Sequence, residues 1–169
     1  QQYQKNNKDF FDQSMDEIKL LRYLNAAGNV DEHHILRLYD YFYFKEHLFV
    51  VTELLRDNLY EFSRYNRESG DTIYFNLRRI RIVAKQCLEA LDYMHRLGLI
   101  HCDLKPENIV KSGDTWKIID FGFSTVLKMT STNSFLGTAG YLAPEIRQHR
   151  SYSKSVDIWA LGVLIYLTL

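Results

Sequence analysis

At 169 residues, with 46% hydrophobic and 14% aromatic side chains, the chain can fill one domain-sized core. Its 21 Lys plus Arg balance 21 Asp plus Glu, which argues against a nucleic-acid footprint or an anionic-membrane patch and leaves partners to local sites. Cys87 and Cys102 have neither pair nor metal spacing and suit a reducing compartment. No charged-then-apolar leader stands at the start, and the longest apolar stretch, 158–169, is too short to span a bilayer. A cytoplasmic location, or a nuclear one, is the expectation.

The opening residues 1–9 are rich in Gln, Asn and Lys and are expected to be a solvated, poorly ordered lead-in. Over 10–24 apolar residues recur at helical spacing, with Gly28 and Asn29 as a stop. Ile35, Leu36, Leu38 and the aromatic run 39–44, then Lys45-Glu46, then the Val- and Phe-rich 48–55, predict an antiparallel hairpin around a tight polar turn. A short amphipathic helix is expected over 56–65, broken by Glu68-Ser69-Gly70-Asp71. A longer one is expected over 76–97, with Leu77, Ile80, Val83, Ala84, Cys87, Leu88, Leu91 and Met94 on one face and Gly98 at its end. Two short strands, 108–111 and 116–119, flank a Ser112-Gly113-Asp114 turn. An irregular loop and an apolar helix from about 155 complete the chain, with no internal repeat and no interdomain linker.

The chemistry-bearing residues begin with His101-Cys102-Asp103-Leu104-Lys105-Pro106-Glu107-Asn108, between the long helix and the first short strand. This resembles the catalytic loop of eukaryotic protein kinases, and Asp120-Phe121-Gly122, after the second short strand, resembles their magnesium-binding motif. Gly137-Thr138-Ala139-Gly140-Tyr141-Leu142-Ala143-Pro144-Glu145 resembles the end of the activation segment, and Asp157-Ile158-Trp159-Ala160-Leu161-Gly162 the start of the central buried helix. The resemblance implies an α+β, two-lobed fold: a remnant of the small lobe and the hinge over about 10–55, and the first part of a mainly helical large lobe over about 56–169. It also implies ATP and Mg²⁺ as cofactors and protein substrates bearing Ser or Thr.

Phosphoryl transfer leaves little covalent work to protein groups, so the site must orient a hydroxyl and neutralise charge. By the resemblance, Asp103 takes the hydroxyl proton and Lys105 places an ammonium against the migrating phosphoryl. Asn108 and Asp120 supply hard oxygen ligands for Mg²⁺, and Gly122 permits a sharp turn behind Asp120. Taken alone, an Asp is more commonly a cap or a turn residue; it is the constellation that argues for chemistry. Glu17 falls where the family's regulatory helix pairs with an ATP-anchoring lysine. Thr52, Glu53, Leu54 and Leu55 match the gatekeeper and hinge, where backbone groups meet adenine, and Val110 matches its floor. Leu21, Leu38, His101 and Phe121 match a stack linking the lobes, with Asp157 at its base. His101 is thereby structural, and His33, His34, His47, His95 and His149 are expected at the surface or as satisfied core residues. Lys105 and Thr138, whose hydroxyl is expected to bond Asp103 and Lys105, follow the serine/threonine pattern and disfavour tyrosine-only specificity.

The sequence also departs from the family. Cys102 stands where an arginine usually pairs with an activation-loop phosphate, so weaker dependence on such phosphorylation is expected, although Thr130, Ser131, Thr132 and Ser134 offer hydroxyls. The His-Cys-Asp loop, the Lys-Asp-Phe-Phe-Asp-Gln helix entry and the Phe-Lys-Glu-His-Leu hairpin resemble the dual-specificity tyrosine-regulated kinases, while residues 137–145 and 157–167 resemble calcium/calmodulin-dependent kinases. No glycine-rich loop or lysine-bearing strand precedes Phe10. Aligned without gaps, the lysine's place falls on Gln2, and with a gap it falls upstream. A pseudokinase, or a structural subunit of a larger assembly, is therefore the competing expectation. The apolar Val163, Leu164, Ile165 and Leu167 are expected to lack cover, and Glu145 to be a buried carboxylate without its arginine. On their own these residues are expected neither to fold stably nor to phosphorylate anything.

Overall fold

The computed structural model describes the backbone of residues 2–70, 75–126 and 136–169, with side chains from residue 11 onward. The first helix, α1, runs Gln2–Ala27. It therefore includes most of the stretch expected to be an unordered lead-in. Gln, Lys and Asn all tolerate helical backbone, and neither Gly nor Pro interrupts the run before Gly28. The C-terminal end of α1 docks on a later helix: the Tyr93 hydroxyl donates to the Leu24 carbonyl at 2.7 Å. A Cβ on Gly28 would meet that same hydroxyl at 3.1 Å, which keeps the exit small.

Strands β1 (Leu38–Phe44) and β2 (His47–Thr52) form the expected antiparallel hairpin, with Phe44 opposite His47. Lys45 and Glu46 both have positive φ, 46° and 63°, matching the two-residue turn whose twist suits antiparallel strands. The second helix starts later than expected. Residues 56–57 pair with the strand ahead, through Arg56 N–H to the Lys111 carbonyl (2.8 Å) and Lys111 N–H to the Asp57 carbonyl (3.2 Å). Asn58 then caps α2 (Leu59–Glu68) by accepting the Glu61 N–H at 2.8 Å.

Asn76 caps α3 (Leu77–Arg96) in the same way, and Gly98 turns the chain out of it at φ 77°. Its buried stripe comprises Ile80, Val83, Cys87, Ala90, Leu91, Tyr93 and Met94. Two residues assigned to that face lie outside it: Leu77 is 76% exposed in the first turn, and the exposed Leu88 sits about 100° round the helix from Cys87. The chain continues through β3 (Leu99–Ile100), a 3-10 turn at Pro106–Asn108, and the hairpin β4 (Ile109–Ser112) and β5 (Thr115–Ile118). It ends with β6 (Thr125–Val126), α4 (Pro144–Arg147) and α5 (Ser155–Thr168). The antiparallel pair β3–β6 and the one-turn α4 were not expected, being too short to show a periodicity.

The architecture is α+β, with three two-stranded sheets among the described residues. The main core joins Leu21 and Leu24 of α1, the stripe of α3, Ile109, Trp116 and Ile118 of the β4–β5 hairpin, Phe121, and Ala160, Leu161 and Leu164 of α5. Of the α5 residues expected to lack cover, Leu164 is fully buried while Leu167 is exposed. Register on α5 decides this, since Leu164 shares the α3-facing side with Ala160 and Leu161. Glu145 is only partly buried and accepts the Ser155 hydroxyl at 3.3 Å, so it is not the partnerless buried carboxylate expected. A second cluster joins Ile100, Cys102, Leu142, Ala143, Ile146, Tyr152 and Val156. Among the described residues no helix is long and apolar enough to cross a membrane.

Candidate active site

The site is built from the bottom of α5 upward. Asp157, in the first turn of α5 and only 1% exposed, accepts the His101 N–H on Oδ2 and the Cys102 N–H on Oδ1, each at 2.9 Å. His95 of α3 bonds the same Oδ2 through Nε2 at 2.7 Å. Three donors on one buried carboxylate fix the loop that follows β3, and Cys102 takes up the resulting bend at φ 68°. His101 is fully buried. Its Nδ1 accepts the Asp103 N–H at 3.2 Å, so its Nε2 carries the hydrogen and donates to the Ile119 carbonyl at 3.1 Å. Its ring also lies edge-on to Phe121, with centroids 5.7 Å apart. One imidazole thus ties the loop to the end of β5.

Around Asp103, 3% exposed, the polar groups close into a ring. Oδ1 accepts the Thr138 hydroxyl at 2.6 Å and Oδ2 accepts the Lys105 ammonium at 2.8 Å, while that ammonium also donates to Thr138 Oγ1 at 3.1 Å. Asn108 Nδ2 donates to the Asp103 carbonyl at 3.0 Å and reaches Oδ2 at 3.4 Å. That leaves the Asn108 amide oxygen as the atom a metal could take. The Asn108 carbonyl in turn accepts the Ile119 N–H at 3.0 Å, which places Asp120 directly beyond this ring. Asp120 itself sits at φ 63° with its Oδ1 facing the Gly122 N–H at 3.3 Å.

Gly137, which the sequence offers only as part of a motif, has a structural requirement of its own. At φ 112°, a Cβ there would stand 2.5 Å from the Cys102 carbonyl oxygen and 3.0 Å from Leu142 Cδ2. The segment carrying Thr138 can therefore seat against the 101–108 loop only through a bare Cα. Cys102 packs in the second apolar cluster, where burial and, secondarily, the Asp157 charge push its thiol up to about 12.

Glu17 reaches the same region from α1. Its Oε1 accepts the Phe121 N–H at 3.3 Å, and its carboxyl is pushed up by burial first and by the Asp120 charge second, against the opposing N–H. Two carboxylates in one half-dry space favour a cation between or beside them. Asn108 and Asp120 carry the kind of hard oxygen atom that Mg²⁺ prefers. Among the described residues, no group of three or more His, Cys, Asp or Glu is arranged to hold a metal.

At the end of β2 the Thr52 hydroxyl donates to the Glu53 carbonyl at 3.1 Å, and Leu55 is partly buried against the core. Val110, buried in β4, stands opposite Lys117 in the β4–β5 ladder. The Glu53 carboxylate turns inward onto Lys117, Ser112 and the Arg37 N–H. Sequence reasoning has no role for Lys117 or Asp31 and expects His95 only as a surface or satisfied core residue, because each acts across a contact that no local motif announces. Leu21 and Phe121 are buried and Leu38 partly so. Thr130, Ser131, Thr132 and Ser134, and the side chain of Gln2, lie outside the described residues.

The protein kinase domain family model matches residues 1–169. The chain belongs to the protein kinase family. Within it, the chain is 38% identical over 165 residues to the dual specificity protein kinase YAK1 of Saccharomyces cerevisiae, covering 95% of this chain and 20% of that protein. It is 37% identical over 164 residues to the probable serine/threonine-protein kinase dyrk2 of Dictyostelium discoideum, covering 95% and 17%. It is 32% identical over 164 residues to human dual specificity tyrosine-phosphorylation-regulated kinase 3, covering 95% and 27%. The chain thus resembles the tyrosine-regulated kinases along nearly its whole length, and spans under a third of these relatives.

Proposed function

We propose that the protein containing this chain transfers the γ-phosphate of ATP to Ser and Thr hydroxyls of protein substrates. The observation that carries this reading is the closed ring of Asp103, Lys105, Thr138 and Asn108, set directly before Asp120. Asp103 orients the acceptor hydroxyl and takes its proton as the new bond forms. Lys105, held between Asp103 and Thr138, faces the migrating phosphoryl and opposes its charge. Thr138 limits where Lys105 can go, converting a flexible stem into a placed ammonium. Asn108 and Asp120 would hold Mg²⁺, which would supply positive charge against the ATP phosphates. The hinge residues Thr52, Glu53 and Leu55, with Val110 beneath, would receive the adenine.

The test is transfer from radiolabelled ATP by the full-length protein, with Asp103→Asn and Lys105→Met alongside. Each variant should lose about a hundredfold or more in rate, the usual worth of a placed proton acceptor or charge. Equal transfer by Asp103→Asn and wild type would overturn the assignment. Because Cys102 stands where the phosphate-pairing arginine would, changing Thr130, Ser131, Thr132 and Ser134 together to Ala should leave most of the activity. Complete loss in that variant would show that activation-segment phosphorylation is required.

A further inference from the structure

Lys117 is 3% exposed, and its environment is not that of a surface lysine. Its Nζ donates to Glu53 Oε1 at 2.6 Å and to Asp31 Oδ1 at 2.7 Å. Arg37 pairs with Asp31 as well, so two cations and two anions make the cluster neutral. A buried ammonium is costly unless it is both paired and hydrogen-bonded, and here both conditions are met. The Glu53 carboxylate is equally well held: Oε1 also accepts the Arg37 N–H at 2.8 Å, and Oε2 accepts the Ser112 hydroxyl at 2.5 Å. The Glu53 N–H donates to the Arg37 carbonyl at 3.2 Å.

The position of this cluster matters more than its strength. Glu53 begins the segment that passes from β2 to α2, and Lys117 lies on β5 three residues before Asp120. Beyond Glu53, Leu54 is 93% exposed and Leu55 partly buried before Arg56 and Asp57 bond to Lys111 of β4. The stretch between β2 and α2 is therefore pinned at two points, and Lys117 supplies the pin on β5, the strand that leads to Asp120. A ligand that meets the 53–55 backbone at one end and an ion on Asp120 at the other needs the distance between those elements set in advance. Setting it in advance lowers the ordering cost of binding.

We propose that Lys117 is a positioning residue for the nucleotide: it holds Glu53, and through it the hinge backbone, at the spacing from β5 and Asp120 that one molecule of MgATP must bridge. This rests on the kinase reading above. Lys117 touches neither the acceptor hydroxyl nor the ring around Asp103, so its loss acts on binding and not on the transfer step.

The test uses the full-length protein: wild type, Lys117→Met, Glu53→Gln and Asp31→Asn. For each, the MgATP Kd is measured by calorimetry, KM for ATP and kcat by phosphate transfer, and thermal stability by melting. Lys117→Met should raise Kd and KM by about tenfold with kcat changed less than about threefold, the signature of lost uniform binding. Glu53→Gln should raise them severalfold in the same pattern, and it carries the test should Lys117→Met fail to fold. Asp31→Asn, at the half-exposed end of the cluster, should lower the melting temperature while leaving KM within about twofold. A Lys117→Met or Glu53→Gln protein that melts early but binds MgATP as wild type does would reduce Lys117 to a brace and overturn the proposal, as would a fall in kcat at unchanged KM in either. Wild type that neither binds MgATP nor transfers phosphate would instead defeat the kinase reading itself.

Discussion

Asp157→Asn is the sharpest probe of how the catalytic loop is held. The carboxylate is 1% exposed and takes three donors: the His101 and Cys102 N–H groups at 2.9 Å and His95 Nε2 at 2.7 Å. An amide keeps one acceptor oxygen and turns an NH₂ toward the other donor set, so at least one buried backbone N–H is orphaned against another N–H. A hydrogen bond to a charged group is worth about 1.5–3 kcal/mol, and an orphaned buried donor costs about 1–3 kcal/mol. The substitution should therefore cost about 3 kcal/mol, a large part of the stability of an ordinary domain. The remedy open to the loop is to shift, and His101 and Asp103 shift with it. The assay pairs a thermal or urea melt of the full-length protein with its phosphate-transfer rate, which should fall by more than about tenfold. An Asp157→Asn protein that melts and transfers phosphate as wild type does would refute the view that this carboxylate seats the loop.

Gly137→Ala, which needs no charge change, should cut transfer by at least about tenfold, because its Cβ meets the Cys102 carbonyl at 2.5 Å and a φ of 112° disfavours any side chain; an active, normally melting Gly137→Ala would show that the segment seats otherwise. Both thiols are pushed up to about 12, Cys87 by burial and Cys102 by burial and then by the Asp157 charge, so neither should react with a thiolate-selective reagent near neutral pH until the protein unfolds. Rapid native labelling of either, followed by peptide mapping, would contradict this. For Glu53, burial pushes the carboxyl up, but the bonds from Lys117, Ser112 and the Arg37 N–H outweigh it and leave it below its ordinary 4.5. Asp31 is held below 3.8 by Arg37 first and Lys117 second. Groups lowered in the folded state stabilise it fully above their ordinary values and lose that contribution as pH falls through the lowered ones. Glu53→Gln should therefore flatten the decline in melting temperature below roughly pH 4; an acid limb as steep as that of wild type would count against the cluster.

The sequence by itself was enough to nominate the candidate site, because Asp103, Lys105, Asn108 and Asp120 fall within 18 residues whose spacing is set by a loop, two short strands and a turn. Helices long enough to show a periodic stripe were legible too, α3 most clearly, as was the hairpin around Lys45-Glu46. Caps shifted the boundaries: Asn58 starts α2 where hydrophobic spacing alone suggested an earlier beginning. What only the tertiary structure decided are the contacts between residues far apart in the chain. His95 meets Asp157 across 62 positions and Lys117 meets Asp31 across 86, and a charged side chain in an apolar pattern does not reveal whether water or a buried partner awaits it. Gly137 lies between these cases: its identity was visible as a motif letter, but the reason for it, a carbonyl of the catalytic loop where a Cβ would be, exists only once the two segments pack.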